Sequence, residues 1–170
     1  MSKAFTRESD DDGQDLPRVS RPTSALPPGA KNYLTAAGEK GLRAELERLV
    51  QVERPAAALG EEADGRRQLQ LLDQRIVHLQ ESLQSAIVVE PPPQPWEQVR
   101  FGASVTVRDR TGSESRYRIV GIDEADVDRD WVSWCSPIAR ALLNARLGER
   151  VRFRVPAGEQ ELEIVAIAYL

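Results

Sequence analysis

Leu69-Gln70-Leu71-Leu72-Asp73-Gln74-Arg75-Ile76-Val77-His78-Leu79-Gln80-Glu81-Ser82-Leu83 carries the clearest periodicity in the chain. Leu69, Leu72, Ile76, Leu79 and Leu83 recur at spacings of three, four, three and four. That rhythm lines one face of an α-helix with apolar side chains, and such a face needs a cover. The cover lies upstream. Leu42, Leu46 and Leu49 form a second stripe, with Arg43, Glu45, Glu47 and Arg48 on the outer face. Thr35 suits the N-cap of this first helix, with Glu39 in its opening turn. Pro55 stresses a helix interior, so a kink or a fresh start is expected there. Gly60, Glu61, Glu62, Asp64 and Gly65 then read as a turn. Two striped helices joined by a turn make an antiparallel coiled-coil hairpin over residues 31–90, each covering the other.

Outward from the hairpin the composition shifts. Residues 1–30 combine the acidic cluster Glu8, Asp10, Asp11, Asp12 and Asp15 with Pro17, Pro22, Pro27 and Pro28. They read as a disordered leader, the alternative being a contact arm for a basic partner surface. Residues 91–95, Pro91-Pro92-Pro93-Gln94-Pro95, form a stiff linker. Beyond it the period becomes two: Val105-Thr106-Val107, Arg116 to Val120 and Val151 to Val155 alternate, and Leu162 to Ile167 is a last strand. Asp109 to Gly112 and Pro156 to Glu159 are hairpin turns. One short helix, Pro137 to Leu147, ends before Gly148. Residues 96–170 therefore make a small antiparallel β domain with one helix, and the fold class is α+β.

Composition narrows the function. The net charge is −4, which argues against bulk nucleic-acid binding and favours a protein partner. One cysteine, Cys135, excludes a disulfide framework and reads as a buried thiol. The lone His78 has no companions for a metal site, so no metal is expected on the chain itself. No apolar run approaches the ~20 residues of a membrane helix, and the N-terminus lacks a signal-peptide stretch. A cytoplasmic monomer without a cofactor is the expectation.

The second domain resembles that of the Gre transcript-cleavage factors, GreB-like members above all. The resemblance rests on Phe101-Gly102-Ala103-Ser104-Val105, Arg116 to Glu124, Ser136-Pro137-Ile138-Ala139-Arg140-Ala141-Leu142-Leu143, Leu147-Gly148-Glu149 and Pro156 to Glu159. In the leader, Lys3-Ala4-Phe5, Arg7 to Asp10 and Pro27-Pro28-Gly29 resemble GreB-type openings. It implies an FKBP-like second domain that docks at the rim of the RNA polymerase secondary channel, while the hairpin enters the channel. RNA and DNA are then met only through the polymerase. Carboxylates at the hairpin tip help the polymerase's own magnesium site cleave backtracked RNA. The factor is an accessory protein, not an enzyme.

The resemblance carries site residues over with one departure. Asp123, Glu124, Ser136, Pro137, Ile138 and Arg140 are candidate polymerase contacts, Ser136 also capping its helix. Glu61, Glu62 and Asp64 are the candidate catalytic tip acids. Yet only nine residues separate Pro55 from Gly65. Relative to the family about fourteen are missing, about seven per arm, which withdraws the tip by roughly 10 Å. A carboxylate so displaced cannot join a metal whose oxygen ligands sit near ~2 Å. The expected function is therefore regulation of elongation at the secondary channel without efficient cleavage. A true cleavage-stimulating factor is the alternative. A prolyl isomerase using Trp131, Trp134, Tyr117 and Phe101 is a second, for which core packing is the better account of the rings.

Overall fold

The computed structural model describes residues 26–60 and 63–169. The leader, apart from its last five residues, and the tip acids Glu61 and Glu62 lie outside the described residues. The order is β1 (Asn32–Thr35), α1 (Ala36–Arg48), a π-helical turn (Leu49–Glu53), α2 (Arg54–Ala58), α3 (Ala63–Ser85) and β2 (Ala86–Val89). The second half adds β3 (Ala103–Arg108), β4 (Glu114–Val120), two short 3₁₀ turns (Ile122–Glu124, Val127–Arg129), β5 (Trp131–Ser133), α4 (Pro137–Leu142), β6 (Arg150–Val155) and β7 (Gly158–Tyr169).

The leucine stripes meet as expected. Leu42, Leu49, Ile76 and Leu79 are buried together, and Leu46, Leu72 and Leu83 pack against them. Arg75 reaches Glu45 at 2.9 Å across the pair. Thr35 caps α1, its hydroxyl accepting from the Gly38 amide at 2.9 Å. The turn is shorter than the sequence suggested. Helix resumes at Ala63, so Gly65 lies in the first turn of α3 rather than in the connection.

Residues 31–90 are not all helix. β1 and β2 pair in parallel, Asn32 opposite Ala86 through Thr35 opposite Val89. Four-residue strands hold too few alternations for a period to register, which is why they escaped the pattern. Leu34 at the centre of β1 is fully buried with the leucines of the helices.

The main sheet runs β5-β4-β3-β7-β6. β3, β4, β6 and β7 pair antiparallel, as expected, but β5 lies parallel to β4. The last strand is longer than read, because β7 serves two neighbours: Ile164 pairs with Val107 of β3, and Leu162 with Val151 of β6. A register shift at Thr106/Val107 lets it bend between them. Val105, Val107, Ile119, Leu162 and Ile164 form the core with Ala139 and Leu142 of α4.

α4 stops at Leu142, five residues before the expected Leu147. Asn144 takes the left-handed conformation at φ 69°. The chain then runs beside residues 97–99, with Asn144 N–H donating to Val99 O at 2.8 Å and Val99 N–H to Ala145 O at 2.9 Å. Ala145 is buried by this pairing, so tertiary hydrogen bonding overrides helix propensity. Cys135 is half-buried rather than fully so. Phe101, Tyr117 and Trp134 pack against the sheet core. Trp131 instead meets two guanidinium groups, Arg118 at 4.8 Å and Arg129 at 5.2 Å from its ring centre.

The β3–β4 turn is organised by Asp109, which accepts from the Thr111 hydroxyl (2.6 Å), the Thr111 amide (2.8 Å) and the Ser113 amide (3.0 Å). The Thr111 hydroxyl bond chiefly, then the backbone amides, hold its carboxyl below the usual carboxylate range. A lowered folded-state pKa means the unfolded chain binds the proton more readily. The turn's contribution is thus present above the ordinary aspartate pKa and fades as pH falls through the folded value. Asp109→Asn is expected to flatten this acid limb, seen as a smaller difference between melting temperatures at neutral and strongly acidic pH. An unchanged difference would contradict it.

Candidate functional site

The tip is shaped by Pro55. With no amide to donate to Gln51, it cannot continue the α-helical ladder. The chain answers with the π turn, in which Arg54 N–H reaches back to Leu49 O. This inserted residue rotates the stripe: Leu49 is buried but Val52 is 61% exposed. Arg54 is tied to Asp73 at 2.6 Å, an exposed pair contributing about 0–1 kcal/mol. Leu59, at the apex, is 84% exposed. Asp64 is exposed in the first turn of α3, where the helix dipole favours a carboxylate. Among the described residues no cluster of His, Cys, Asp and Glu could hold a metal ion.

Of the six candidate contact residues in the second domain, Pro137 and Arg140 face solvent. Ile138 packs half-buried on the sheet core. Ser136 caps α4, its Oγ accepting from Ala139 N–H at 3.2 Å. Ser136→Ala is expected to cost about 1 kcal/mol, measurable by urea unfolding. No change would mean that Pro137 alone suffices to start the helix.

Asp123 and Glu124 are not at the surface, where the sequence put them. Glu124 is 9% exposed, and the Asp123 side chain 6%. Both turn inward to the base of the helical pair. Glu124 Oε2 accepts from Thr35 N–H and from Gly121 N–H, each at 2.9 Å, and Oε1 accepts from the Thr35 hydroxyl. Asp123 Oδ1 lies 2.7 Å from His78 Nε2, and Oδ2 accepts from the Ser82 hydroxyl. Asn32 Nδ2 closes the group by donating to Ser82 O (3.0 Å) and Ser82 Oγ (3.1 Å). Two adjacent acids thus bind the first turn of α1 and the last turns of α3. Ser82 donates to Asp123, and His78 meets the same carboxylate, so the three side chains form one bonded group.

Sequence reasoning missed Thr35, His78, Ser82 and Gly121 as partners of these acids. The only signal was an acidic pair directly after an apolar strand, which reads equally well as a solvated turn. Beside this junction, Tyr33 of β1 packs on Phe101 (5.8 Å between ring centres) and Trp134 (5.5 Å). From His78 to the tip at Asp64, α3 projects about 20 Å.

Residues 93–169 match the family described as transcription elongation factor GreA/GreB, C-terminal. The chain is 39% identical to the transcription elongation factor GreB of Neisseria meningitidis serogroup A over 155 residues, covering 82% of this chain and 95% of that one. It is likewise 39% identical to the GreB of Pseudomonas aeruginosa, covering 80% and 89%. Among solved structures it is similar to the GreA factor homolog 1 protein of Thermus thermophilus, at 25% identity, 82% and 99% coverage and a TM-score of 0.39. The chain belongs to the GreA/GreB family of transcription elongation factors. Within that family it is GreB-like. Since 82% of the chain fills 155 aligned positions, the Neisseria relative carries about fifteen positions without a counterpart here.

Proposed function

We propose that this chain binds RNA polymerase at the secondary channel and regulates elongation there without efficiently stimulating RNA cleavage. The second domain, read as FKBP-like, docks at the channel rim through the face bearing Pro137 and Arg140. The helical pair, read as a coiled-coil hairpin, enters the channel. The observation that carries this reading is a near-full-length GreB-like chain lacking about fifteen positions of its relative. Only nine residues separate Pro55 from Gly65, so we place the deficit in the two helices, where it withdraws the tip by roughly 10 Å. Asp64 then stops short of the polymerase magnesium. A loss of about one heptad from each arm keeps the stripes in register, so the leucines still meet. The chain acts as an accessory factor, and a cytoplasmic place follows from its partner.

Competition tests this directly. Excess chain is expected to suppress cleavage stimulated by a long-hairpin GreB in backtracked complexes, with suppression relieved by adding more GreB. Stimulation of cleavage by the chain alone, to the level of GreB, would establish the opposite reading. No effect on GreB at any excess would remove the shared docking site.

A further inference from the structure

The geometry points to Asp123 and Glu124 as positioning residues that fix the angle at which the helical pair leaves the sheet. The role of that angle in delivering the tip rests on the polymerase reading above. A lone contact at one helix end would leave the pair free to swing. Here the two acids hold both helices at the base of the pair: Glu124 grips the start of α1 through Thr35, and Asp123 grips the last turns of α3 through His78 and Ser82. Two anchor points on two helices define an orientation as well as a contact. They are mounted on the sheet, since only Gly121 separates β4 from the 3₁₀ turn Ile122–Glu124 and Glu124 also bonds the Gly121 amide.

Two glycines make room for this grip. A Cβ at Gly38, in the first turn of α1, would overlap the Glu124 carboxylate. A Cβ at Gly121 would overlap the Tyr33 carbonyl oxygen. Gly38 needs no special backbone conformation, and alanine in its place favours an isolated helix by up to ~1 kcal/mol. Its smallness therefore serves the carboxylate beside it. This gives a substitution that strengthens α1 locally while expelling Glu124, separating positioning from stability.

The test uses the full chain with Cys135→Ser and spin labels at Leu59→Cys on the tip and Arg154→Cys on β6. The distribution of label–label distances reports the angle. The parent is expected to give one narrow distribution. Gly38→Ala, Glu124→Ala and Asp123→Ala are each expected to broaden or shift it. Glu124→Gln is expected to keep it, because an amide oxygen can still accept from Thr35 and Gly121 while its NH₂ donates to the Thr35 hydroxyl. In the competition assay, if the held geometry falls to about a tenth of molecules, apparent potency falls about tenfold. Narrow, unshifted distributions in the three disruptive variants would overturn the proposal, and so would broad ones with full potency. A parent chain with no effect on the polymerase would instead defeat the polymerase reading, while the distances still decide whether the acids set the angle.

Discussion

Leu79→Ala is expected to unfold the helical pair at a temperature where the sheet domain is still intact. Leu79 is fully buried, and removing a buried leucine side chain costs about 2–5 kcal/mol through lost transfer energy and the cavity left behind. The consequence depends on how much core remains. Among the described residues the helical pair has five buried apolar members against twelve in the sheet core, so one loss removes a fifth of the smaller cluster. Leu79 also sits between His78 and Ser82, both bonded to Asp123. Its loss loosens the junction together with the core. Hydrogen exchange resolved by segment is the measurement. Amides of α1 and α3 should lose protection by the full destabilisation, with β3 and β7 little changed. Equal loss in all four would show that the chain folds as one cooperative unit.

Gly121→Ala is expected to destabilise by about 3 kcal/mol, at the upper end of what overpacking usually costs. The backbone there, at φ −64° and ψ 165°, is open to any residue, so no conformational strain is involved. The cost is steric. The added carbon would overlap the Tyr33 carbonyl oxygen and approach Glu124 Oε2 and Leu34 Cδ2, each to 2.8 Å. A strand carbonyl cannot swing aside as a side chain can, so β1 must move off the sheet domain. Urea unfolding, together with the fluorescence of Trp134 beside Tyr33, reads both effects. A neutral substitution would mean that the two parts shift apart without loss.

Much of the fold is legible in the sequence wherever a period runs long enough. Leu69 to Leu83 spans two heptads and leaves little choice but a striped helix, and Thr35 marks the start of its partner. Alternation found β3, β4 and β6, and the largely apolar run Leu162 to Ile167 found β7. The failures share a cause: they depend on partners distant in sequence. β1 and β2 are too short to show a period and exist because they pair with each other. α4 ends early because Asn144 and Ala145 bond to Val99. The candidate site was legible where residues act locally, as Ser136 does in capping α4. It was misread at Asp123 and Glu124, because adjacent acids after a strand look solvated until Thr35 and His78 are folded against them. Pro55 was read correctly as a disturbance, but its resolution as a π turn depends on the packing of Leu49, which spacing alone does not reveal.

The central claim is that a shortened hairpin lets the chain occupy the polymerase without bringing carboxylates to its magnesium. The most direct test places the chain with its own RNA polymerase stalled in a backtracked complex, measuring binding and RNA 3′ cleavage in the same tube with magnesium. The expected result is saturable binding with cleavage no faster than the polymerase's intrinsic rate. Binding accompanied by GreB-like cleavage would contradict the distance on which the claim depends, and absence of binding would contradict the docking itself.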